Sequence, residues 1–377
     1  MALNRYKLGQ LIALCTGGNE DLTFGEESLR GISVNKEFIE SKADLQGVSL
    51  SNYTVVTPGC FSFVTVTSRN GNRISIAYNN TDETFIVSSF YVTFRLNDFG
   101  KSVCLEDYLF LFFNRSEFDR YARIHSWGSA REYYWFSDIE EVVIDLPSLP
   151  VQKKYVDIYK AMVANQQSYE RGLEDLKLVC DGYIEDLRRK MPCEKIGKYL
   201  IESDRRNDCG LTVESVRGIS TNKELIPTKA DMNGVGLDSY KIVSPGQIAY
   251  VPDTSRRGDK ISLGFNNSQE EYLISSIYTV FGTRTENLLP EYLMLFFTRA
   301  EFDRYARFNS WGSARETFDW DELCNVQIPI PDIQVQKAIA EVFAVYNMRK
   351  QINEQLKAQI KDICPFLIKG SLEEGNT

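Results

Sequence analysis

Histidine is almost missing from this chain: there is one, His125. The chain is internally duplicated, and the position equivalent to His125 in the other copy is Asn309. A metal site or general base built on a histidine common to both copies is therefore excluded, and His125 reads as a structural or surface residue. The eight cysteines stand singly at 15, 60, 104, 180, 193, 209, 324 and 364, with no Cys-x-x-Cys step. Neither a disulfide framework nor a zinc site repeats between the copies, so reduced thiols in a cytoplasmic protein are expected. No run of about 18 apolar residues occurs, and no membrane span is expected. The opening Met1-Ala2-Leu3-Asn4-Arg5-Tyr6 lacks the apolar stretch of a secretory signal. Also missing are a Gly-x-x-x-x-Gly-Lys-Ser/Thr phosphate loop, a Gly-x-Ser-x-Gly elbow, and the Asn-Pro-Pro-aromatic motif with which adenine methyltransferases hold a flipped base.

What is present is ordinary globular material. The chain has 377 residues, 43% hydrophobic and 12% aromatic, which is long enough for two or more domains and well clear of the disordered class. The net charge of −9 argues against a non-specific polybasic coat for DNA. It leaves room for a binder whose basic groups gather on one face.

The dominant feature is the repeat. Glu117-Phe118-Asp119-Arg120-Tyr121-Ala122-Arg123 and Ser126-Trp127-Gly128-Ser129-Ala130-Arg131-Glu132 recur at an offset of 184 as Glu301–Arg307 and Ser310–Glu316. Residues 30–59 match 217–246 at 18 of 30 positions, at an offset of 187. The two halves are homologous, and a role given to one must suit the other. The offset falls by three after Phe94, so the first copy carries three extra residues in the next connection.

Each half begins as a mixed α/β domain. Stretches rich in β-branched and aromatic residues, Val55 to Thr67 and Arg73 to Tyr78, flank a turn with an Asn-Gly step, Asn70-Gly71. Phe85 to Val87 and Tyr91 to Phe94 predict further strands, Leu105 to Ala122 a helix, and Val142 to Leu146 a strand stopped by Pro147. A long helix follows Pro150 and ends near Pro192, with a seam at Tyr155, Ile158, Met162, Asn165, Tyr169, Leu173, Leu176, Val179, Tyr183 and Leu187. A second opens at Pro331-Asp332, Asp332 serving as N-cap, with a seam at Ile339, Val342, Tyr346, Arg349, Ile352, Leu356, Ile360, Ile363 and Leu367. The expected division is a domain at 1–147, a long helix at 148–191, a domain at 192–330, a long helix at 331–370 and a frayed tail at 371–377. Neither seam can be buried alone. The fold class is therefore read as α+β: two homologous mixed α/β domains separated by two long helices paired as an antiparallel coiled coil, with a pseudo-two-fold.

The repeated polar positions carry the chemistry. Ser68, Arg69 and Arg73 on the Asn-Gly turn correspond to Ser255, Arg256 and Lys260, and Arg257 adds a cation to the second turn. Arg120 and Arg123 correspond to Arg304 and Arg307, and Ser129 and Arg131 to Ser313 and Arg315. Turn tips can enter a groove, arginine forks fit phosphate oxygens or guanine edges, and serine hydroxyls suit phosphate. The blander reading of any one of these arginines is a solvated surface charge. Glu117 and Asp119, repeated as Glu301 and Asp303, read as an exposed helix face on which Asp119 pairs with Arg123 and Asp303 with Arg307. Trp127 and Trp311 read as buried anchors of their loops, with contact to a base or ribose as the alternative.

In both halves a Gly-Ser step leads to a proline-bounded strand and then to Gln-Lys at a helix start. The residues are Trp127-Gly128-Ser129-Ala130-Arg131 with Leu146-Pro147-Ser148-Leu149-Pro150-Val151-Gln152-Lys153, and Gly312-Ser313-Ala314-Arg315 with Ile328-Pro329-Ile330-Pro331-Asp332-Ile333-Gln334-Val335-Gln336-Lys337. Over nearly the whole chain this resembles the specificity subunit of type I restriction–modification systems, with Val151-Gln152 and Val335-Gln336 where that family usually has Glu-Gln. The resemblance implies a non-catalytic subunit with two target-recognition domains, each reading half of a split site on double-stranded DNA. The long helices would set the gap and dock two methyltransferase subunits. Those subunits would carry S-adenosylmethionine, so no cofactor is expected on this chain, and motor-nuclease subunits would join for restriction. Two rival readings stand beside it: a protein-binding coiled-coil scaffold without DNA readout, and a self-contained DNA methyltransferase or nuclease.

Overall fold

The computed structural model describes residues 3–376 apart from 42, 44, 46, 69, 70, 72, 255–259 and 314. The chain folds as two compact units: Met1–Ser168 with Ile352–Thr377, and Tyr169–Gln351.

The first unit is built on a four-stranded antiparallel sheet in the order Ile12–Leu14, Tyr91–Leu96, Phe61–Val64, Ile76–Tyr78. Strand periodicity of two explains its composition. Phe61 and Phe63 face an aromatic core, while Ser62 between them turns to the other face and bonds Thr93, hydroxyl to hydroxyl, at 2.8 Å. Phe61 and Phe94, opposite each other in the register, stack at 5.3 Å between centroids, and Phe113 meets Phe94 edge-on at 6.0 Å. The predicted hairpin exists as the pairing of Phe61–Val64 with Ile76–Tyr78. Three two-stranded ladders complete the unit: Arg30–Ile32 with Phe38–Glu40, Thr54–Val56 with Phe85–Val87, and Asn4–Lys7 with Val143–Leu146.

The second unit repeats every one of these pairings. Its sheet runs Leu200–Ser203, Thr279–Thr283, Ile248–Tyr250, Leu263–Phe265. The small ladders are Arg217–Ile219 with Leu225–Pro227, Lys241–Val243 with Tyr272–Ile274, and Cys193–Lys195 with Gln327–Pro329. The three extra residues of the first copy fall at a short helix, Asp98–Val103, capped by Asn97, whose side chain accepts from Gly100 N at 2.7 Å.

The expected helix from Leu105 to Ala122 is two helices, Glu106–Phe113 and Ser116–Ile124, and the second unit has Pro290–Phe297 and Ala300–Phe308. The break has a physical cause. Carbonyls at the end of the first helix are taken by side chains instead of by amides one turn on: Arg115 Nε donates to Phe112 O at 3.1 Å and Lys36 Nζ donates to Phe113 O.

The long helices are Leu149–Lys190 and Ile333–Gly375. Asp332 caps the second, its carboxylate accepting from Gln334 N and Val335 N at 3.0 and 3.2 Å. Within the first unit their segments pack antiparallel. Gln166 Nε2 donates to Asn353 Oδ1 at 2.9 Å, and Tyr155 OH reaches Glu374 at 3.1 Å. Within the second unit the Arg349 guanidinium lies 5.7 Å from the Tyr169 ring centroid. The first seam is shifted from its expected line. Val156, Gln166, Cys180 and Ile184 are buried, whereas Ile158, Val179 and Tyr183 are exposed. A helix that packs on a globular domain as well as on a partner helix buries a broader, rotated stripe, which step-counting along the seam does not reveal. The expected frayed tail is also corrected: the helix continues to Gly375, and Ser371 is buried with its hydroxyl 2.7 Å from Tyr108 OH.

Candidate nucleic-acid interface

In each half the structure joins two stretches far apart in sequence. Thr67, just before the 68–73 turn, donates its backbone N–H to Glu132 O at 3.0 Å, and Tyr134 N donates to Thr65 O at 2.9 Å. In the second half Thr254 N donates to Glu316 O at 3.0 Å and Phe318 N to Pro252 O at 2.9 Å. The residues that lead into 68–73 and 255–260 and the Trp-Gly-Ser-Ala-Arg loop are therefore joined in one platform, held by short backbone ladders.

The loop itself is rigidly closed. Trp127 and Tyr133 exchange backbone hydrogen bonds at 3.0 and 2.9 Å, as do Trp311 and Thr317 at 3.0 Å each. Gly128 sits at φ +146°, where a Cβ would fall 1.9 Å from Arg131 O, and Gly312 at φ +140° repeats the clash at 2.0 Å from Arg315 O. No other residue fits there. Ser126 Oγ donates to Ala122 O at 2.7 Å and Ser310 Oγ to Ala306 O at 2.6 Å, tying the loop to the preceding helix.

Arg123 pairs with Glu132 and Arg307 with Glu316 across the neck of the loop. This corrects the expected pairing of Arg123 with Asp119 and of Arg307 with Asp303. Both aspartates turn inward. Asp119 meets Lys36 at 2.7 Å with both side chains nearly buried, and Asp303 meets Lys223 at 2.7 Å in the same way. Asp119 also accepts from Ile74 N at 3.2 Å, and Asp303 from Ile261 N at 3.2 Å. Ile74 and Ile261 directly follow the 68–73 and 255–260 stretches, so the buried pair fixes where the chain returns to the domain in each half. Lys36 and Lys223 both adopt φ +65°, an uncommon backbone for a side-chain-bearing residue. Burial pushes both ammonium groups below their ordinary value, and the facing aspartate draws them back. The sequence hint was the repeated Asn-Lys-Glu, 35–37 and 222–224, but no spacing rule linked it to an aspartate some 80 residues on.

The candidate contact residues sort accordingly. Arg123 and Arg307 brace the loop from within. Arg120 and Arg304 are exposed and pair loosely with Glu117 and Glu301, at 3.8 and 3.7 Å. Ser68, Ser129, Ser313, Arg131, Arg315 and Lys260 are exposed and Arg73 is half-buried. Arg69, Ser255, Arg256 and Arg257 lie outside the described residues. The tryptophans are not buried anchors. Trp127 is 68% exposed and Trp311 62%.

Sequence reasoning also missed what the Gln-Lys step does. Gln152 and Gln336 are fully buried at the starts of the long helices. Gln152 Oε1 accepts from Leu105 N at 3.0 Å, and its Nε2 donates to Val103 O and Pro147 O at 2.8 Å each. Gln336 accepts from Leu289 N at 2.9 Å and donates to Asn287 O and Pro331 O at 2.8 Å each. Each glutamine clamps a long helix to its domain.

Among the described residues no group of three His, Cys, Asp or Glu side chains is placed to hold a metal, and no helix is long and apolar enough to cross a membrane. All eight cysteines are free, with the Cys15 and Cys60 sulfurs 3.6 Å apart.

Residues 227–362 match the family described as Type I restriction modification DNA specificity domain. No curated protein matches the chain. Among solved structures, the type I restriction–modification S subunit from M. genitalium aligns over 100% of this chain and 96% of its own, at 10% identity and a TM-score of 0.59. The HsdS subunit from Thermoanaerobacter tengcongensis aligns over 100% and 97%, at 12% identity and a TM-score of 0.38. A chain from a structure on assembly and conformational transition of the type I R-M system aligns over 98% of both chains, at 14% identity and a TM-score of 0.46. The M. genitalium likeness speaks for the fold, and the domain match covers residues of the second half and its long helix. Residues 227–362 thus match a type I restriction–modification DNA specificity domain, and the first half repeats the fold of the half that contains them.

Proposed function

We propose that this chain is the DNA-reading, non-catalytic subunit of a type I restriction–modification complex, and that its two halves read the two parts of a bipartite site. The observation that carries this is the duplicated platform. In each half the residue before a basic stretch and a glycine-locked loop are tied together by backbone bonds, and the loop presents exposed Ser129 and Arg131, or Ser313 and Arg315, the arginines having no ion-pair partner among the described residues. Arg73 and Lys260 stand at the ends of the two turns. Cations left unpaired beside exposed hydroxyls and turn tips suit phosphate and base edges. Arg120 and Arg304, loosely held and exposed, are candidate phosphate contacts. Arg69, Ser255, Arg256 and Arg257 complete the proposed contact set on sequence grounds. Arg123 and Arg307 act on DNA through the loop shape they hold.

The long helices set the spacer between the half-sites and dock two methyltransferase subunits, which bring S-adenosylmethionine; motor-nuclease subunits join for restriction. The halves share their platform, so the half-sites are related and inverted. Differences at the turns, Asn70 against Arg257 and Asn72 against Asp259, make them non-identical. Adenine-methylation mapping of the source genome tests this, and wholly unrelated half-sites would refute it. Inserting one or two helical turns within 155–187 should change the spacer and leave both half-site sequences intact. If Arg73, Arg131, Lys260 and Arg315 can all become Ala without weakening DNA binding by the assembled complex, the chain is a scaffold. Binding of S-adenosylmethionine by the purified chain alone would make it a self-contained enzyme.

A further inference from the structure

Two side chains of the platform have no internal work. Trp127 and Trp311 stand in solvent at 68% and 62% exposure, at equivalent positions of the two halves. Their surroundings are anything but loose. Each backbone is held by a pair of reciprocal hydrogen bonds, each is followed by a glycine that no other residue can replace, and each loop neck is closed by an arginine–glutamate pair. An exposed apolar residue precedes each loop, Ile124 in one half and Phe308 in the other. A tryptophan that could bury on the order of 150–250 Å² thus sits on a fixed backbone where it buries little. Holding the backbone that carries a large flat ring lowers the ordering cost of a later contact.

The neighbours say what that contact is. Ser129 and Arg131 share the loop with Trp127, and Ser313 and Arg315 share it with Trp311; all four are exposed, and neither arginine has an ion-pair partner among the described residues. A ring beside free donors and a free cation fits a polyanion that also offers flat faces. The turns bound to these loops differ between the halves, whereas the tryptophans do not. A feature held constant while its neighbours vary serves something common to both half-sites.

We infer that Trp127 and Trp311 are sequence-tolerant DNA contacts, each placing its ring against a deoxyribose or base face and adding affinity to both half-sites without choosing their bases. This rests on the DNA-reading function proposed above. Aromatic contacts of this kind contribute through a surface that every nucleotide has.

The test uses the chain assembled with its methyltransferase subunits. The probes are a duplex carrying the site methylated in the source genome and a scrambled duplex of equal length. Trp127→Ala and Trp311→Ala should each weaken binding to the specific duplex roughly 5- to 150-fold. Trp127→Phe should recover most of the loss. The salt dependence of binding should stay as in the wild type, because no phosphate contact is removed. Base preference at both half-sites should also stay unchanged. Thermal unfolding should be unaffected, since an exposed ring is being removed. Unchanged affinity in both alanine variants overturns the inference. Loss of subunit assembly with unchanged DNA affinity in the complex that does form overturns it in favour of a protein-docking role. Altered base preference at one half-site overturns the sequence-tolerant assignment. A wild-type complex that does not distinguish the two duplexes overturns the DNA-reading function itself, before any variant is compared.

Discussion

Replacing Gln152 by Leu should loosen the first long helix from its domain at a calculable cost. The amide of Gln152 serves three backbone groups: Leu105 N–H and the carbonyls of Val103 and Pro147. Leucine keeps about the volume and serves none of them. A buried N–H left without an acceptor costs about 2 kcal/mol, and two carbonyls left without donors about 1 kcal/mol each. Extra apolar burial by leucine returns about 1 kcal/mol. The net loss is about 3 kcal/mol. Gln152→Glu separates the chemistry from the shape. One oxygen still accepts from Leu105 N–H, but the other now faces two carbonyls that need donors. Burial and those carbonyls raise the folded-state pKa of the new carboxyl above its unfolded value of about 4.3. The folded state then binds more protons than the unfolded state, so stability falls as pH rises from about 4.3 through the folded-state pKa. The Leu variant's deficit carries no such pH dependence. The assay is urea unfolding at several pH values, with amide exchange read at residues 103–105 and along the start of the helix. Gln336→Leu should act alike on residues 287–289 and leave 103–105 protected. Both Leu variants within about 0.5 kcal/mol of wild type, or a Glu variant whose deficit does not grow with pH, would refute the clamp.

Three further outcomes are expected. Lys36→Met strands Asp119 without its partner and should destabilise the first unit by about 3–5 kcal/mol, whereas Lys36→Met with Asp119→Leu should recover much of that in a chemical melt. Gly128→Ala drives a Cβ into Arg131 O, so the loop must open; limited proteolysis should cut near 128–132 in the variant and not in the wild type. In the second unit Arg299 is gripped by Asp181, Glu185 and Glu301 at 3.2, 2.9 and 3.2 Å. Glu185 is held below its usual range by its hydrogen bond from Arg299, and Glu301 chiefly by a bond from its own backbone N–H. Depressed carboxylates stabilise above their unfolded pKa and lose that contribution as pH falls through the folded value. Because these groups are largely solvated the effect is modest. An acid titration should show Arg299→Met narrowing the wild-type drop in stability below about pH 4.5, and identical acid profiles would count against it.

Much of the architecture was legible because it depends on local pattern. Phe61-Ser62-Phe63, the strand before Pro147 and the cap at Asp332 follow from periodicity, proline chemistry and capping, which act within a few residues. Duplication did the rest, since each half checks the other. The misreadings share a cause. Asp119 has Arg123 one helical turn away and is claimed instead by Lys36, because a buried ammonium needs a carboxylate more than a solvated arginine does. Trp127 looked like an anchor because tryptophans before glycine often are. It stands exposed instead, in a loop closed by Gly128 and by the Arg123–Glu132 pair.

The sequence alone determined the two-copy plan, the strand and helix types and the identity of the duplicated loop, because these rest on spacing and composition. Only the tertiary structure decided which arginines are free. Arg123 and Arg131 look equally available as letters, yet one closes the neck of the loop on Glu132 and the other stands in solvent. Folding also joined the 68–73 turn to the tryptophan loop through Thr67 and Glu132, a contact between residues 65 apart in the chain. Charge pairing and exposure are set by where the backbone brings side chains together in space, and no local pattern encodes that.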